Sequence, residues 1–232
     1  MKTIAVIPAR LHSTRFPKKI LYPIDDKPMV AHVFDQTKKA KSLDDVIVAI
    51  DADDTAEVLK KLKIKYVMTS KDHISGTDRI AEVTDDKDFE VIINVLADEF
   101  QLDPNLIDLL ASEFEDETIE MATVAGMNMD AKKLTDVNTV KVLLDRERFA
   151  VNFRRDPIES EAGGYYHHMG IYAYRKSVLD KFTSLEPSEN EIQFQLEQYR
   201  ALDNGIPIKV ILAEKVNKGI DTMDDLKENI GK

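Results

Sequence analysis

The 232-residue sequence contains no cysteine. This excludes a disulfide scaffold, a thiol nucleophile and a cysteine-ligated zinc site. No stretch approaches the ~20 apolar residues of a membrane span. The short apolar run at the N-terminus meets Pro8 and Arg10, unlike the longer run of a signal peptide. We therefore expect a cytoplasmic protein that does not enter a membrane.

The sequence has fewer basic than acidic residues: 32 Lys and Arg against 43 Asp and Glu, which gives a formal net charge of −11. The surface field repels polyanions, so nucleic acid is a poor candidate for a partner. A small anion can still bind where a few cations and backbone N–H groups converge, since local donors outweigh a screened distant field. Basic clusters in loops are therefore the places to search.

Short apolar runs recur between helical patterns, as expected for buried parallel strands joined by crossover helices. This pattern predicts the α/β class, with one large domain. The predicted strands are residues 3–7, 46–50, 64–68, 91–96, 140–144, 149–153, 166–174 and 208–212. The predicted helices run from Pro28 to about Lys41, over 55–62, from about Thr77, from Pro104, over 189–203 and over 221–229.

A long basic loop, residues 8–27, follows the first predicted strand, and its residues 8–19 include Arg10, Ser13, Thr14, Arg15, Lys18 and Lys19. Arg and Lys donate charge-assisted hydrogen bonds to phosphate oxygens and can neutralise a leaving pyrophosphate. The loop lacks the glycines and the Gly-Lys-Ser/Thr ending of a Walker loop. From composition alone, a solvated basic surface loop explains it equally well.

Two further segments of the chain carry acidic or hydroxyl side chains that could bind a ligand. Asp98 and Glu99 come directly after the strand at 91–96, at the carboxyl end where open α/β sheets bind ligands. Ser75 or Thr77 could simply cap the helix that begins near Thr77. Taken alone, His168 would be an ordinary strand histidine, and Glu197, Gln198 and Arg200 would form an ordinary polar face of the 189–203 helix.

Taken together, these segments resemble the CMP-Kdo synthetase family, the cytidylyltransferases of 3-deoxy-manno-octulosonate (Kdo). The basic loop is similar to Ile-Pro-Ala-Arg, a variable pair, and Ser-x-Arg-x-Pro-Gly-Lys. Residues 73–79 are similar to His-x-Ser-Gly-Thr-Asp/Glu-Arg, residues 168–174 to His-Leu-Gly-Ile-Tyr-Gly-Tyr, and residues 196–200 to Leu-Glu-Gln-Leu-Arg. Asp98-Glu99 matches the acidic pair of Gln-Gly-Asp-Glu-Pro, and Asp221 lies in a segment similar to Gly-Val-Asp-Thr. The likeness covers residues 2–230.

The resemblance implies a Rossmann-like, glycosyltransferase-A-like fold with a mostly parallel sheet and helices on both faces. It also implies a nucleotide-binding core at about residues 1–130 and 205–232, and an acceptor and dimerisation lobe at about 131–204. Relatives are commonly homodimers through this lobe. The implied nucleotide-binding residues are Pro8, Ala9, Arg10, Ser13, Arg15, Lys19, Ser75, Gly76, Arg79 and Asp98, and the implied acceptor-binding residues are Arg155, His168, Tyr172, Glu197 and Gln198.

The implied reaction is attack of a sugar-acid anomeric hydroxyl on the α-phosphorus of CTP, with release of pyrophosphate, for lipopolysaccharide or capsule biosynthesis. Arg10, Arg15 and Lys19 would hold phosphate oxygens. Asp98 and Asp221 would bind Mg²⁺, which prefers hard oxygen ligands. These five residues form the implied catalytic set, and no separate protein general base is assigned.

The chain departs from the family pattern at several positions. Lys18 stands where the family has glycine, and Leu96, Ala97 and Phe100 replace the Gln, Gly and Pro around the acidic pair. Leucine cannot make the hydrogen bonds with which that Gln orients the sugar acid. A different acceptor, such as an amino-Kdo or a nonulosonic acid, therefore stays open. So do a non-catalytic CTP-binding protein and, more remotely, an acidic interaction module without a nucleotide site.

Overall fold

A central sheet organises the protein, whose computed structural model describes residues 1–13, 16–158, 164–217, 219–220 and 222–230, with the side chains of 228–230 left aside. The strands are β1 (Thr3–Ala9), β2 (Pro23–Ile24), β3 (Lys27–Pro28), β4 (Asp45–Ile50), β5 (Tyr66–Met68), β6 (Val91–Asn94), β7 (Met121–Gly126), β8 (Lys141–Leu144), β9 (Ala150–Arg154), β10 (Tyr165–Arg175) and β11 (Ile208–Ala213). The helices are α1 (Met29–Thr37), α2 (Asp53–Lys61), α3 (Gly76–Thr84), α4 (Pro104–Glu113), α5 (Ala131–Thr135), α6 (Lys176–Ser184), α7 (Glu189–Phe194), α8 (Gln198–Asp203) and α9 (Met223–Ile230).

The strand order across the main sheet is β11-β7-β10-β6-β1-β4-β5, with β8 and β9 added at one end of β10. Along this order β10 runs antiparallel to its two neighbours, and the other adjacent pairs are parallel. The predicted α/β class with a mostly parallel sheet is confirmed. Ligands of such sheets bind beyond the carboxyl ends of the strands, which here include the ends of β1 and β6.

Helices cover both faces of the sheet, because successive side chains of a strand point to opposite faces. On β1, Ala5 and Ile7 belong to the apolar cluster that also contains residues of α1, α2 and α4. Ile4 and Val6 belong to a second cluster, with residues of α3, α6 and α8. Burial on both sides explains why the strand reads as an unbroken apolar run.

A third, smaller cluster joins the basic loop to the C-terminal segment. Phe16, Ile24 and Met29 pack with Ile220 and Leu226. This apolar contact anchors the underside of the loop, so its polar residues are held beside the end of β6.

Some predicted elements differ from the structure. The predicted helix over 189–203 is wrong, because two short helices, α7 and α8, are separated at Gln195, whose φ of 53° is left-handed. That residue interrupts the i to i−4 ladder and turns the chain so that Leu196 and Tyr199 enter the core. Helix α1 ends at Thr37, before the predicted Lys41. Five further elements, β2, β3, β7, α5 and α6, were not predicted from the sequence.

The division into a nucleotide core and an acceptor lobe stays a prediction, and β10, from the predicted lobe, runs inside the central sheet. Among the helices of the described residues, none is both long and apolar enough to cross a membrane.

Candidate functional site

Two clefts meet at the segment that follows β6. The first, here called the loop cleft, has a volume of about 310 Å³ and lies between the basic loop and the start of α3. The second, the strand cleft, has a volume of about 360 Å³ and is bordered by β10 and the α7–α8 segment. Leu96 and Asp98 line both clefts, so a group bound in one cleft lies next to a group bound in the other.

The loop cleft contains most of the residues predicted to bind a nucleotide: Pro8, Arg10, Ser13, Lys19, Ser75, Gly76, Arg79 and Asp98. Ala9 is buried in the core behind it. Arg15 lies outside the described residues. The structure thus brings eight of the ten predicted residues to one cleft, and their role there remains a prediction.

Asp51 holds the basic loop in place. Its Oδ1 accepts the backbone N–H of Leu11 at 2.9 Å, and its Oδ2 lies 3.4 Å from Nη2 of Arg79. Arg79 is itself buried and also donates to Thr69 Oγ1. A buried cation needs such partners, because transfer from water without them is costly. The sequence analysis did not predict this role of Asp51, since its partners are distant in sequence.

The start of α3 is fixed by a capping box. The backbone N–H of Asp78 donates to Ser75 Oγ at 3.1 Å, and the Ser75 N–H donates to Asp78 Oδ2 at 3.2 Å. The interpretation of Ser75 as a helix cap is therefore confirmed. A Cβ on Gly76 would lie 3.2 Å from Cγ of Pro8, so the absence of a side chain lets this helix pack closely on the end of β1.

Lys18 and Lys19 close the basic loop in different ways. Lys18 adopts φ 54°, the left-handed conformation that favours the glycine of the family pattern. Its Nζ reaches Asp54 Oδ2 at 3.0 Å. Lys19 points inward, with Nζ 2.6 Å from Asp98 Oδ2 and 2.7 Å from the carbonyl oxygen of Ile220. The inner lysine thus joins the loop to the acidic strand end and the C-terminal segment.

The strand cleft contains all five residues predicted to bind an acceptor: Arg155, His168, Tyr172, Glu197 and Gln198. Four side chains that line it hold a buried polar atom for which the described residues offer no hydrogen-bond partner: Asn94 Oδ1, Asp98 Oδ1, Tyr172 OH and Glu197 Oε1. Native proteins satisfy nearly all such atoms. Their concentration around one cleft indicates a polar ligand.

His168 is held as a neutral imidazole. Burial lowers its pKa to about 3. The hydroxyl of Thr123 donates its one hydrogen to the Ile171 carbonyl at 2.7 Å, and His168 Nε2 lies 3.0 Å from the same hydroxyl oxygen. On this ground we assign the proton of the ring to Nε2 as the donor, which leaves Nδ1 as an acceptor. Burial likewise raises the pKa of Tyr172 well above its ordinary value, so its hydroxyl stays protonated.

Asp98 has an oxygen that could bind a cation. Its Oδ1 is buried without a hydrogen-bond partner among the described residues, and carboxylate oxygens are ligands that Mg²⁺ prefers. Residues 219–220 adjoin it, because the Ile220 N–H donates to the Asp98 carbonyl at 3.1 Å. Asp221, the second predicted ligand, lies outside the described residues, within which no group of three or more His, Cys, Asp or Glu could hold a metal.

For several other polar residues of the site, the sequence did not predict a role there. Asn94 ends an otherwise apolar buried strand, a signal that could have identified it, whereas Thr77 and Thr123 support Glu197 and His168 through contacts distant in sequence. Glu99, noted as the partner of Asp98, is buried and lines the strand cleft.

Comparison with known proteins gives consistent matches along the chain. A family model described as Cytidylyltransferase matches residues 4–215. The 3-deoxy-manno-octulosonate cytidylyltransferase of Geobacter sulfurreducens is 38% identical, over 100% of this chain and 99% of its own length. That of Syntrophotalea carbinolica is 39% identical, over 97% of this chain and 96% of its own. A solved structure of CMP:2-keto-3-deoxy-manno-octonic acid synthetase complexed with CTP superposes with a TM-score of 0.93 at 33% identity, covering 100% of this chain and 98% of that one.

Proposed function

We propose, since the chain belongs to the cytidylyltransferase family, that it transfers CMP from CTP to the anomeric hydroxyl of Kdo and releases pyrophosphate. The product would serve lipopolysaccharide or capsule biosynthesis, and the enzyme would work in the cytoplasm. The observation that carries the proposal is the meeting of two unlike clefts at Asp98. A nucleotide in one and an acceptor in the other would present their reacting groups to each other there.

The loop cleft suits the triphosphate. Arg10 and Lys19 line it, and the buried Arg79 and Asp51 hold its walls. Substitution at phosphorus needs positioning and charge neutralisation more than a protein nucleophile, which fits a site of cations and carboxylates. Arg10, Arg15 and Lys19 would hold phosphate oxygens, with Ser13, Ser75 and Gly76 bordering the nucleotide.

Asp98, together with Asp221, would hold Mg²⁺, which supplies a Lewis acid for the α-phosphate and lowers the pKa of the attacking hydroxyl. The buried Oδ1 of Asp98 supports this assignment. Lys19 Nζ now lies 2.6 Å from Oδ2 of the same carboxylate, so one cation already neutralises this position.

The strand cleft suits a polyhydroxylated acid. Arg155 would pair with the sugar carboxylate, because a guanidinium can offer two parallel donors. His168 Nδ1 and the carboxyl of Glu197 would accept hydrogen bonds from sugar hydroxyls, and the Tyr172 hydroxyl and the Gln198 amide would donate them. Such contacts would satisfy Tyr172 OH and Glu197 Oε1, which lack hydrogen-bond partners within the described residues.

The test is to incubate the protein with CTP, Mg²⁺ and Kdo and to measure pyrophosphate. We expect release that requires both substrates and the metal. CTP binding without release from Kdo or any other sugar acid would instead identify a non-catalytic nucleotide-binding protein and would end the proposal. Absence of any nucleotide-dependent thermal shift would point to an interaction module.

A second candidate acceptor is favoured by Leu96. This aliphatic side chain stands at the junction of the clefts, among the polar residues Asn94, Asp98 and Glu99, and cannot hydrogen-bond an acceptor. An amino-Kdo or a nonulosonic acid would then replace Kdo in the same reaction. A panel of acids compared by kcat/KM separates these substrates, and preference for an acid other than Kdo would support this alternative.

We further propose a homodimer formed through residues 131–204, the acceptor and dimerisation lobe. Strand β9 pairs with β8 alone among the described strands, and Val151 on it is exposed. Phe194, whose ring lies 5.1 Å from that of Tyr199, and the neighbouring Ile192, 68% exposed, add apolar surface. Light scattering of wild type and Val151→Asp should give a dimer and a monomer; a monomeric wild type would contradict this assembly.

A further inference from the structure

Lys141 in β8 is a fully buried lysine, with 0% of its surface exposed. Lysine is almost never buried completely unless it is paired, because removing its charge from water is costly. Burial accordingly lowers the pKa of its ammonium group. The described hydrogen bonds of Nζ all go to backbone carbonyls, those of Asp136 at 2.7 Å, Arg155 at 2.9 Å and Asp156 at 3.4 Å. Three carbonyl acceptors match the three donors of an ammonium group.

These carbonyls belong to two segments that border the strand cleft. Asp136 directly follows α5, and Asn138, two residues further on, lines the cleft. Arg155 follows β9 directly and also lines it. The β8–β9 register places Lys141 opposite Arg154, so the ladder stops one residue before Arg155. Beyond that point the Lys141 side chain holds the backbone, through its hydrogen bonds to the carbonyls of Arg155 and Asp156.

We propose that Lys141 is a positioning residue for the acceptor cleft: its ammonium fixes the Arg155 backbone, and with it the guanidinium that meets the acceptor carboxylate. This inference rests on the proposed function of the strand cleft. Lys141 does not touch the substrate, and its effect passes through Arg155. Loss of the ammonium would leave the three carbonyls without this donor and free the segment after β9 to shift.

The consequence for the reaction is specific. A shifted Arg155 weakens recognition of the acceptor, while the loop cleft lies on the other side of Leu96 and Asp98 and keeps its contacts with CTP. A charged hydrogen-bonded contact of this kind corresponds to about a 10-fold to 100-fold change in affinity. The acceptor KM should therefore rise while the CTP KM stays nearly constant.

The experiment compares Lys141→Met, which keeps the length of the stem, with the wild-type enzyme by steady-state pyrophosphate release from CTP and Kdo. We expect the Kdo KM to rise about 10-fold or more and the CTP KM to change less than about 2-fold. In an Arg155→Gln background, Lys141→Met should change the Kdo KM less than about 2-fold, because the contact through which it acts is already lost.

Arg175 provides a matched control. Its guanidinium also clamps backbone carbonyls, those of Ile119, Phe114 and Asp116, but at the other end of β10 and away from both clefts. Arg175→Met should lower Tm and leave the Kdo KM unchanged. If Lys141→Met does not fold, Lys141→Gln, which retains an amide donor, should show a smaller rise of the Kdo KM with the CTP KM constant.

Equal rises of both KM values, an unchanged Kdo KM in a folded variant, or a full effect of Lys141→Met in the Arg155→Gln background would each overturn the inference. These outcomes require an active wild-type enzyme. A wild type that releases no pyrophosphate with Kdo or with any other acid of the panel overturns the proposed function first, and the inference with it, so the two failures are distinguishable.

Discussion

Thr77 Oγ1 donates a hydrogen bond of 2.7 Å to Oε2 of Glu197, and this contact joins helix α3, which borders the loop cleft, to the acid of the strand cleft. The second oxygen, Oε1, is buried and finds no hydrogen-bond partner among the described residues. Burial raises the pKa of Glu197, and side-chain contacts with Thr77 and Ser75 offset part of that rise. The protein therefore holds an acid in the cleft at a cost in stability, as functional sites commonly do.

Glu197→Gln should raise the stability of the protein at neutral pH. The unfolded glutamate loses its proton near pH 4.3 (about its ordinary pKa), whereas the folded one keeps it to higher pH. Stability of the wild type therefore falls as pH rises through this interval, since the unfolded state binds fewer protons there. The glutamine variant lacks this slope.

Thermal melts of both proteins across pH 3.5–8 (about the range over which a buried glutamate titrates) measure the difference. The Tm gain of Glu197→Gln should vanish at the acidic end, grow with pH and then level off, and the variant should release less pyrophosphate. Glu186→Gln, at an exposed position, should show neither effect. A constant gain at every pH would contradict the raised pKa.

Asp98→Asn should reduce pyrophosphate release by at least about 10³-fold, since metal-assisted stabilisation of charge in the transition state supplies several kcal/mol. The amide keeps the shape of the side chain but loses the charge that faces Lys19 and that would bind Mg²⁺ in the proposed site. Circular dichroism should report an intact fold. Asp54→Asn is the matched control, because Asp54 pairs with the adjacent Lys18 on the exposed side of the loop. If the activity of Asp98→Asn stays within 10-fold of the wild type, a difference of about 1.4 kcal/mol in activation free energy, Asp98 does not bind the catalytic metal.

The sequence correctly predicted the helices and strands whose pattern of apolar residues matches their burial in the fold. Residues 3–7, 46–50 and 91–96 are apolar runs, and the corresponding strands are buried on both faces. Strand β7 was missed because Met-Ala-Thr-Val-Ala-Gly carries little apolar surface. It is a strand because β10 and β11 pair with it on either side. Helix α6 follows Arg175, which provides no side-chain cap, so no start signal marks it.

The sequence motifs predicted which residues would lie together in the site. The residues that hold them in position became visible only in the structure. Residues from segments as distant as Arg10 and Arg79 line one cleft. The supporting residues were not predictable, because a buried aspartate such as Asp51 or a buried lysine such as Lys141 acts on backbone groups that only the folded chain brings near. The left-handed φ of Gln195, which separates α7 from α8, likewise could not be predicted from the helical spacing of apolar residues.

Lys18→Gly should stabilise the protein. A non-glycine residue in the left-handed region costs about 1 kcal/mol, and glycine adopts it freely. The exposed ion pair with Asp54 that is lost contributes at most about 1 kcal/mol and often much less. We expect Tm to rise by about 1–3 °C. Lys38→Gly, at an exposed residue with φ −64°, should instead lower Tm, and a fall of Tm in Lys18→Gly would contradict the strain at Lys18.

Two glycines near the clefts should respond to alanine in different ways. A Cβ on Gly126 would collide with Asn128 Oδ1 and come within 2.9 Å of the backbone nitrogen of Val216. Backbone cannot yield cheaply, so Gly126→Ala should cost about 1–3 kcal/mol. A Cβ on Gly170 would come within 2.7 Å of Leu96 Cδ1, the end of a flexible side chain that can rotate away.

Gly170→Ala should therefore cost less than about 1 kcal/mol, a shift in Tm of less than about 4 °C. The displaced Leu96 side chain must move into one of the two clefts that it separates, so the KM for the acceptor, for CTP or for both should rise. Adding Leu96→Ala removes the colliding atom and should restore the KM that Gly170→Ala raised, relative to Leu96→Ala alone. If Gly170→Ala raises a KM by the same factor in the wild type and in the Leu96→Ala background, displacement of the Leu96 side chain is not the cause, and Leu96 does not separate the two clefts.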